Sequence, residues 1–183
     1  MRRFLLPIDF VKNSGFPAVA RMAHTIEDVQ IGEVRVRCGT GCLCTSAIGS
    51  CIAVAAYHPA RRIGGMVHAV LPGQAPAADA TPLRYLEDAL SELVLRLAGA
   101  GADRGELRAC AAGGGNVLRR ADDRICQLNT DAVREAAPRH GLPLVAANLG
   151  GAARRSLRLD VMTGEVWCAT GDGPESLLCT LDA

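Results

Sequence analysis

The feature that most constrains the fold is a pair of short apolar runs on either side of a polar loop. Residues 51–57 read CIAVAAY, residues 65–72 read GMVHAVLP, and a six-residue loop, 58–63, precedes the second run. Apolar runs of this length between turn residues are typical of buried strands. They predict an antiparallel hairpin in which Tyr57 pairs with Gly64.

The hydrophobic period changes after this hairpin. Spacings of three and four residues, typical of one stripe of an amphipathic helix, separate the leucines at 83, 86, 90, 93 and 97. We expect Thr81 to cap this helix and Gly99 or Gly101 to end it. A second, shorter helix is predicted to start at Asn129 or Thr130 and to be disrupted by Pro138.

Several other segments have strand patterns. Residues 33–38 alternate polar and apolar side chains, residues 106–118 form a strand that runs into a glycine turn, and residues 142–151 and 156–169 are strand-like, the last with a turn at 162–165. Residues 1–30 lack a period and are predicted to be an N-terminal extension. The fold class is therefore α/β, a layered sandwich of mixed β-sheets with flanking helices, in a single domain of residues 1–183.

The composition excludes some classes of function and bears on the location. The net charge is +1, which favours neither nucleic acid nor an anionic membrane as a partner. Because Pro7 and Asp9 end the first apolar stretch, neither a secretory signal nor a membrane span is predicted, and we expect a cytoplasmic protein. Thiols stay reduced there, so the eight cysteines are expected to be mainly small core residues.

Cys51 and His68 form a candidate catalytic pair. In the predicted hairpin Cys51 faces Val70, and His68 lies two residues from Val70 on the same face, so the Cβ atoms of the pair would be about 7–8 Å apart. A slip of one residue would put them on opposite faces. The alternative without a catalytic role is a buried thiol and a core histidine whose hydrogen bonds are satisfied.

The chemistry of such a pair is that of a cysteine nucleophile. An imidazole lowers the pKa of the thiol by ion pairing and returns a proton to the leaving group. Gly49 permits a close substrate approach, and the backbone N–H groups around Ser50 and Cys51 face a developing oxyanion. Thr45 and Ser46 are candidates for orienting the imidazole.

These residues resemble a motif of the CheD family, bacterial chemoreceptor glutamine deamidases. The matching segments are Thr45, Ile48-Gly49-Ser50-Cys51 and His68-Ala69-Val70-Leu71-Pro72, with the family's steps of six and seventeen residues. Later segments follow in the family's order over about residues 30–170, including Asn129. The chain departs from the family pattern where Leu128 replaces an arginine, and where the segment around Gly113 is alanine-rich.

The resemblance implies a function and a site. Cys51 would be the nucleophile, His68 the base and acid, and Thr45 the residue that orients the imidazole, while Gly49 and Ser50 would border the oxyanion. The reaction would hydrolyse receptor glutamine amides to glutamate through a thioester, with no cofactor and no metal. The implied fold is that of CheD and the deamidating toxins, and the implied partners are methyl-accepting chemotaxis receptors and a CheC-type phosphatase.

Several alternatives stay open from the residues. One alternative is a non-enzymatic chemotaxis adaptor. Another is a thiol protease or transglutaminase that uses the same thioester chemistry. Cys38, Cys42 and Cys44 suggest a metal, but their spacing lacks a second pair, and core filling is the simpler account. The glycines of residues 113–115 match no phosphate loop and predict a turn.

Remaining polar residues are expected to be solvated. This expectation covers His24, His58 and His140, and also Arg154 and Arg155, for which binding of an acidic surface is the functional alternative.

Overall fold

The described part of the chain folds into two five-stranded sheets and two α-helices. The computed structural model describes residues 25–122 and 124–182. The strands of this part of the chain are β1 (Ile26–Asp28), β2 (Val34–Cys38), β3 (Cys42–Ile48), β4 (Ile52–His58), β5 (Ile63–Ala69), β6 (Arg108–Gly113), β7 (Leu144–Leu149), β8 (Arg155–Asp160), β9 (Glu165–Thr170) and β10 (Ser176–Thr180). The helices are α1 (Leu86–Gly99) and α2 (Ile125–Arg139).

The two sheets differ in their place in the fold. The first sheet has the order β1-β3-β8-β9-β10 and the second the order β2-β5-β4-β6-β7. One face of the second sheet packs on both helices, and its other face packs on the first sheet. The molecule is therefore a three-layer α/β sandwich of mixed sheets, which confirms the predicted fold class.

The burial of β4 on both of its faces explains why residues 52–57 are all apolar. Ile52, Val54 and Ala56 point to the helix layer, while Ala53 and Tyr57 point to the first sheet. Every residue of β4 is buried, so neither face tolerates the polar alternation of a half-exposed strand.

Two adjacent glycines in β5 allow both neighbouring layers to approach closely. A Cβ on Gly65 would lie 2.5 Å from Leu93 Cδ1 of α1, and a Cβ on Gly64 would lie 2.8 Å from Leu159 Cδ2 of the first sheet. Aromatic residues are only 3% of the chain, and its core is filled mainly by aliphatic side chains, of which Leu93 and Leu159 pack closely on these glycines.

The predicted hairpin and its register are confirmed. Strands β4 and β5 pair antiparallel, with Tyr57 opposite Gly64 and Ile52 opposite Ala69. The strands predicted within residues 33–38, 106–118, 142–151 and 156–169 are also present. Three strands of the described part of the chain were not predicted: β3, β10, and β1, which lies inside the predicted N-terminal extension.

Both helices begin at other residues than expected. A 3-10 turn at Pro82–Arg84 follows Thr81, whose side chain makes no capping bond, and α1 has Tyr85 at its N-cap. Tyr85 is held in an extended conformation by a parallel bridge to Leu71, so the helix forms only after it. The predicted end at Gly99 is confirmed.

Helix α2 begins at Ile125, four residues before the predicted start at Asn129. Pro138 lies in its last turn, where a missing N–H costs one hydrogen bond, and the helix ends one residue later. No helix in residues 25–122 and 124–182 is long and apolar enough to cross a membrane. The prediction of a single domain stays a prediction, and residues 1–24 of its extension lie outside the described residues.

Truncation of Leu93 tests the packing of α1 on the second sheet. Leu93 is fully buried, whereas Leu95 on the same helix is 60% exposed. We expect Leu93→Ala to lower the free energy of unfolding by about 2–5 kcal/mol, because it leaves a cavity against Gly65. We expect Leu95→Ala to change it by less than about 0.5 kcal/mol. Urea denaturation measures both, and equal losses in the two variants would contradict the packing described here.

Candidate active site

Cys51 and His68 lie at one end of the β4–β5 pair. Cys51 directly precedes β4 and packs on the cluster between the sheets. His68 lies two residues after Met66 in β5, so it shares the strand face of Met66, which belongs to the same cluster. Extending the observed register by one residue places Cys51 opposite Val70. The two candidate residues therefore share the face of the sheet that the sequence predicted.

Thr45 contacts His68 across the space between the two sheets. Its hydroxyl oxygen lies 2.8 Å from Nδ1 of His68, and both residues are 2% exposed. Thr45 stands in β3 opposite Leu157, on the inner face of the first sheet. Of the two orienting candidates, the bond to Nδ1 comes from Thr45, and Ser46 is exposed.

The other ring nitrogen of His68 is left available. Nε2 is buried and makes no hydrogen bond to any residue in the described part of the chain. Its environment favours the uncharged ring: burial lowers the pKa of His68 below its ordinary value of 6.5, and the nearby Val29 backbone and Asp28 carboxylate only partly offset this. A neutral imidazole carries one ring proton and can accept a second on its other nitrogen, which is Nε2 when Nδ1–H donates to the Thr45 hydroxyl.

Cys51 rests as a thiol. Burial raises the pKa of its side chain above 9.0, and the backbone N–H of Cys51, the charge of Arg84 and the Ser50 hydroxyl only partly oppose this. The expected ion pair between Cys51 and His68 is therefore not the resting state, because burial favours the neutral form of each group. Reaction of Cys51 as a nucleophile would require a base that takes the thiol proton.

The glycine turn at residues 113–115 holds the segment that carries Cys51. Gly114 N–H donates to the Cys51 carbonyl at 2.9 Å, and Gly115 N–H donates to the Gly49 carbonyl at 2.8 Å. Gly113 has φ +133°, and a Cβ there would lie 2.0 Å from the Cys51 oxygen. The sequence predicted the turn but not its contact with Cys51; the run of glycines was the available signal.

Two pockets open beside these residues. A pocket of about 300 Å³ includes Gly49, Ser50 and Arg154 in its lining, and a pocket of about 180 Å³ includes Thr45 and His68. Ala47 lines both of them, with φ 56° at an irregularity in the pairing of β3 with β8. The predicted oxyanion residues and the imidazole therefore border two neighbouring concavities.

The Cys38, Cys42 and Cys44 prediction is only partly correct. Cys42 and Cys44 share a face of β3, but Leu43 is the residue that points into the core, so their face is the outer one. Cys42 is covered there, with its sulfur 3.9 Å from Asp160 Oδ2, and Cys38 is exposed on β2. Core filling is therefore confirmed for Cys42, which is 6% exposed, and is wrong for the exposed Cys38 and the partly exposed Cys44.

Three of the polar residues expected to be solvated are not. His58 is 2% exposed with Nε2 3.3 Å from Glu106, and His140 Nε2 lies 2.6 Å from Glu87. The third is Arg155, which is described next. His24 lies outside the described residues.

Arg155 is buried and holds the loop beside the larger pocket. Its guanidinium donates to Asn148 Oδ1 at 2.8 Å, to the Ala153 carbonyl at 3.0 Å and to the Gly150 carbonyl at 2.5 Å. Arg154 is exposed and pairs with Asp172. Arg155 therefore has a structural role, and Arg154 is the arginine that faces solvent.

A family model described as CheD chemotactic sensory transduction matches residues 70–170, more than half of the chain. The chain belongs to the CheD family. The matched segment starts two residues after His68. It therefore leaves out most of the motif at residues 45–72, on which the sequence resemblance also depends.

Curated relatives cover more of the chain. A probable chemoreceptor glutamine deamidase CheD of Chlorobium luteolum is 39% identical over 158 residues, which are 86% of this chain and 76% of the relative. A protein of the same name from Symbiobacterium thermophilum is 40% identical over 83% of this chain and 97% of its own. The chemoreceptor glutamine deamidase CheD of Thermotoga maritima is 32% identical over 81% of this chain and 94% of its own.

The neutral state of His68 predicts a pH dependence of stability. Its pKa is lower in the folded than in the unfolded protein, so the unfolded state binds more protons below pH 6.5. The free energy of unfolding should therefore fall as the pH drops through and below about 6.5, and His68 contributes to that fall. His68→Gln should remove that part of the fall.

Urea denaturation of both proteins at several pH values between 7.5 and 5.5 measures the difference. Other groups titrate equally in the two proteins and cancel. Parallel curves for the wild type and His68→Gln would show that His68 is not held neutral by the fold.

Proposed function

We propose that this protein is a chemoreceptor glutamine deamidase, which hydrolyses receptor glutamine side chains to glutamate and ammonia. The names of the CheD relatives support this reaction. The observation that carries the proposal is the 2.8 Å contact between Thr45 Oγ1 and His68 Nδ1, on the sheet face that also carries Cys51. When Nδ1–H donates to Thr45, Nε2 is the ring nitrogen proposed to accept the thiol proton of Cys51.

The first half of the reaction transfers the glutamine acyl group to Cys51. His68 Nε2 takes the thiol proton as the sulfur attacks the amide carbon, and the carbonyl oxygen becomes an oxyanion. The C–N bond then breaks, and the proton held on Nε2 goes to the nitrogen, which leaves as ammonia. The product on the enzyme is a γ-glutamyl thioester.

The second half hydrolyses the thioester. His68 Nε2 takes a proton from water, whose oxygen attacks the thioester carbon, and the C–S bond breaks. The proton returns to sulfur, glutamate leaves, and the resting thiol and neutral imidazole are restored. The two half-reactions together consume one water molecule and need no cofactor.

The oxyanion is assigned to the turn before β4. Gly49 and Ser50 line the larger pocket, and the backbone N–H groups of Ser50 and Cys51 are the donors proposed to face the oxygen. Hydrogen bonds from the residue 113–115 turn hold this segment in place, so the donors require little reorganisation when charge develops.

The proposed partners are methyl-accepting chemotaxis receptors as substrates, in the cytoplasm, with a CheC-type phosphatase as a second partner. The non-enzymatic adaptor is not favoured, because the relatives are named for an enzymatic reaction. A protease or transglutaminase would share the thioester but not the product: mass spectrometry would find a cut chain or a cross-link. Deamidation leaves the chain uncut and about one dalton heavier per site.

Replacement of Cys51 tests the nucleophile. Cys51→Ala should abolish the conversion of glutamine to glutamate in a receptor cytoplasmic domain, because no other thiol occupies this turn. The matched control is Cys44→Ala, which removes a partly exposed cysteine on the outer face of the first sheet and should retain activity. Peptide mapping by mass spectrometry measures the conversion, and full activity of Cys51→Ala would overturn the assignment of Cys51 as the nucleophile.

Replacement of Thr45 tests the orientation of the imidazole. Thr45→Val keeps the shape of the side chain but removes the hydroxyl that contacts Nδ1. We expect kcat to fall by about 10–100-fold with little change in KM, by analogy with other residues that orient a histidine. Thr45→Ser keeps the hydroxyl and should recover most of kcat; equal losses in both variants would argue against this role.

A further inference from the structure

Asn129 connects the two strand ends that carry the candidate pair. It lies in α2, and its side chain is buried, with 1% of the residue exposed. Its amide nitrogen Nδ2 donates to the Ser50 carbonyl and to the Val70 carbonyl, each at 2.8 Å. Ser50 precedes Cys51, and Val70 is two residues beyond His68.

These contacts lie where the β4–β5 ladder ends. The last backbone pair is Ile52 with Ala69, and one step further Cys51 would face Val70. Both groups that Asn129 meets there are carbonyls, which cannot bond to each other. A primary amide has two N–H donors on one nitrogen and satisfies both at once. The side chain of Asn129 thus continues the pairing of the strands beyond its backbone limit.

The contact to Ser50 also sets the direction of the N–H group of Cys51. The peptide unit between Ser50 and Cys51 is planar, so a fixed carbonyl fixes the N–H on its opposite side. That N–H interacts with the sulfur of its own residue and opposes the effect of burial on the thiol pKa. Asn129 is therefore linked to the sulfur through a single rigid peptide.

The next residue of α2 supports the same segment from the other side. Thr130 is 5% exposed and packs on Gly114, where a Cβ would lie 2.1 Å from the threonine hydroxyl. Gly114 N–H in turn donates to the Cys51 carbonyl. The carbonyls on both sides of Cys51 are therefore held from α2, one directly and one through the glycine turn.

We propose that Asn129 is a positioning residue, which holds the Cys51 turn and the end of β5 at the separation that the Cys51–His68 pair needs. This role rests on the proposed function, in which that pair carries the reaction. Asn129 touches neither the sulfur nor the imidazole in the described contacts and acts through the Ser50 and Val70 carbonyls.

Substitutions at residue 129 test the role against a general effect on stability. Asn129→Ala removes both donors, and Asn129→Leu removes them while keeping the number and branching of the side-chain heavy atoms. The matched control is Val133→Ala, which leaves a cavity one turn further along α2, against the helix-side core and away from the Cys51 turn. All three should lower the free energy of unfolding.

The first readout needs no receptor. Alkylation of Cys51 by iodoacetamide is followed against pH, with fragment spectra assigning the label to this cysteine. We expect the rate at pH 8 to fall by about tenfold in both Asn129 variants, with the profile shifted to higher pH, and to be unchanged in Val133→Ala. Asn129→Leu decides the result where Asn129→Ala does not fold.

The second readout is deamidation of a receptor cytoplasmic domain. The Asn129 variants should lose at least about tenfold in kcat with KM nearly unchanged, while Val133→Ala keeps kcat. A wild-type alkylation profile in Asn129→Leu, or an equal change in Val133→Ala, would overturn the positioning role. Failure of the wild type to deamidate would instead overturn the proposed function, and the alkylation result would still decide the role of Asn129.

Discussion

The burial of β4 on both of its faces is the constraint on which the rest of the structure depends. A strand with no polar face needs an apolar layer on each side, and here the helices cover one side and the first sheet covers the other. The pairing of β4 with β5 is then pinned, because a slip of one residue would exchange the two sets of buried side chains. Cys51 and His68 inherit their common face from this register.

The same layering sets the electrostatics of the site. His68 lies between the sheets, where burial favours its neutral form, and its contact with Thr45 engages one nitrogen there. Cys51 lies at the end of β4, half-buried, and also rests neutral. The two resting side chains are therefore uncharged, and in the proposed mechanism the charged state forms only as the thiol proton moves to Nε2.

Much of the site was predictable because it depends on short-range patterns. The loop length and the two apolar runs specify the hairpin, and the hairpin specifies that Cys51 and His68 share a face. The outward face of Cys42 and Cys44 was not predictable, since alternation tells which residues share a face but not which face is covered. The start of α1 was also predicted wrongly. A bridge between Leu71 and Tyr85, which the local hydrophobic pattern does not indicate, keeps Tyr85 extended, so the helix begins after it.

The contacts of α2 were beyond the reach of the sequence for a similar reason. Asn129 stood out only through resemblance, and its bonds to Ser50 and Val70 span 79 and 59 residues. The burial of Arg155 likewise depends on how the loop at residues 150–153 folds around it. Such long-range polar contacts follow from the packing of layers, not from local propensity.

The covalent thioester on Cys51 is the central claim, and partition of the reaction with hydroxylamine tests it most directly. Water and hydroxylamine can both attack a thioester. Deamidation of a receptor cytoplasmic domain in the presence of hydroxylamine should therefore convert the same glutamines into a mixture of glutamate and γ-glutamyl hydroxamate. The hydroxamate fraction should rise with the hydroxylamine concentration, as measured by mass spectrometry of the modified peptides. Glutamate as the sole product at every concentration would contradict a covalent intermediate at Cys51.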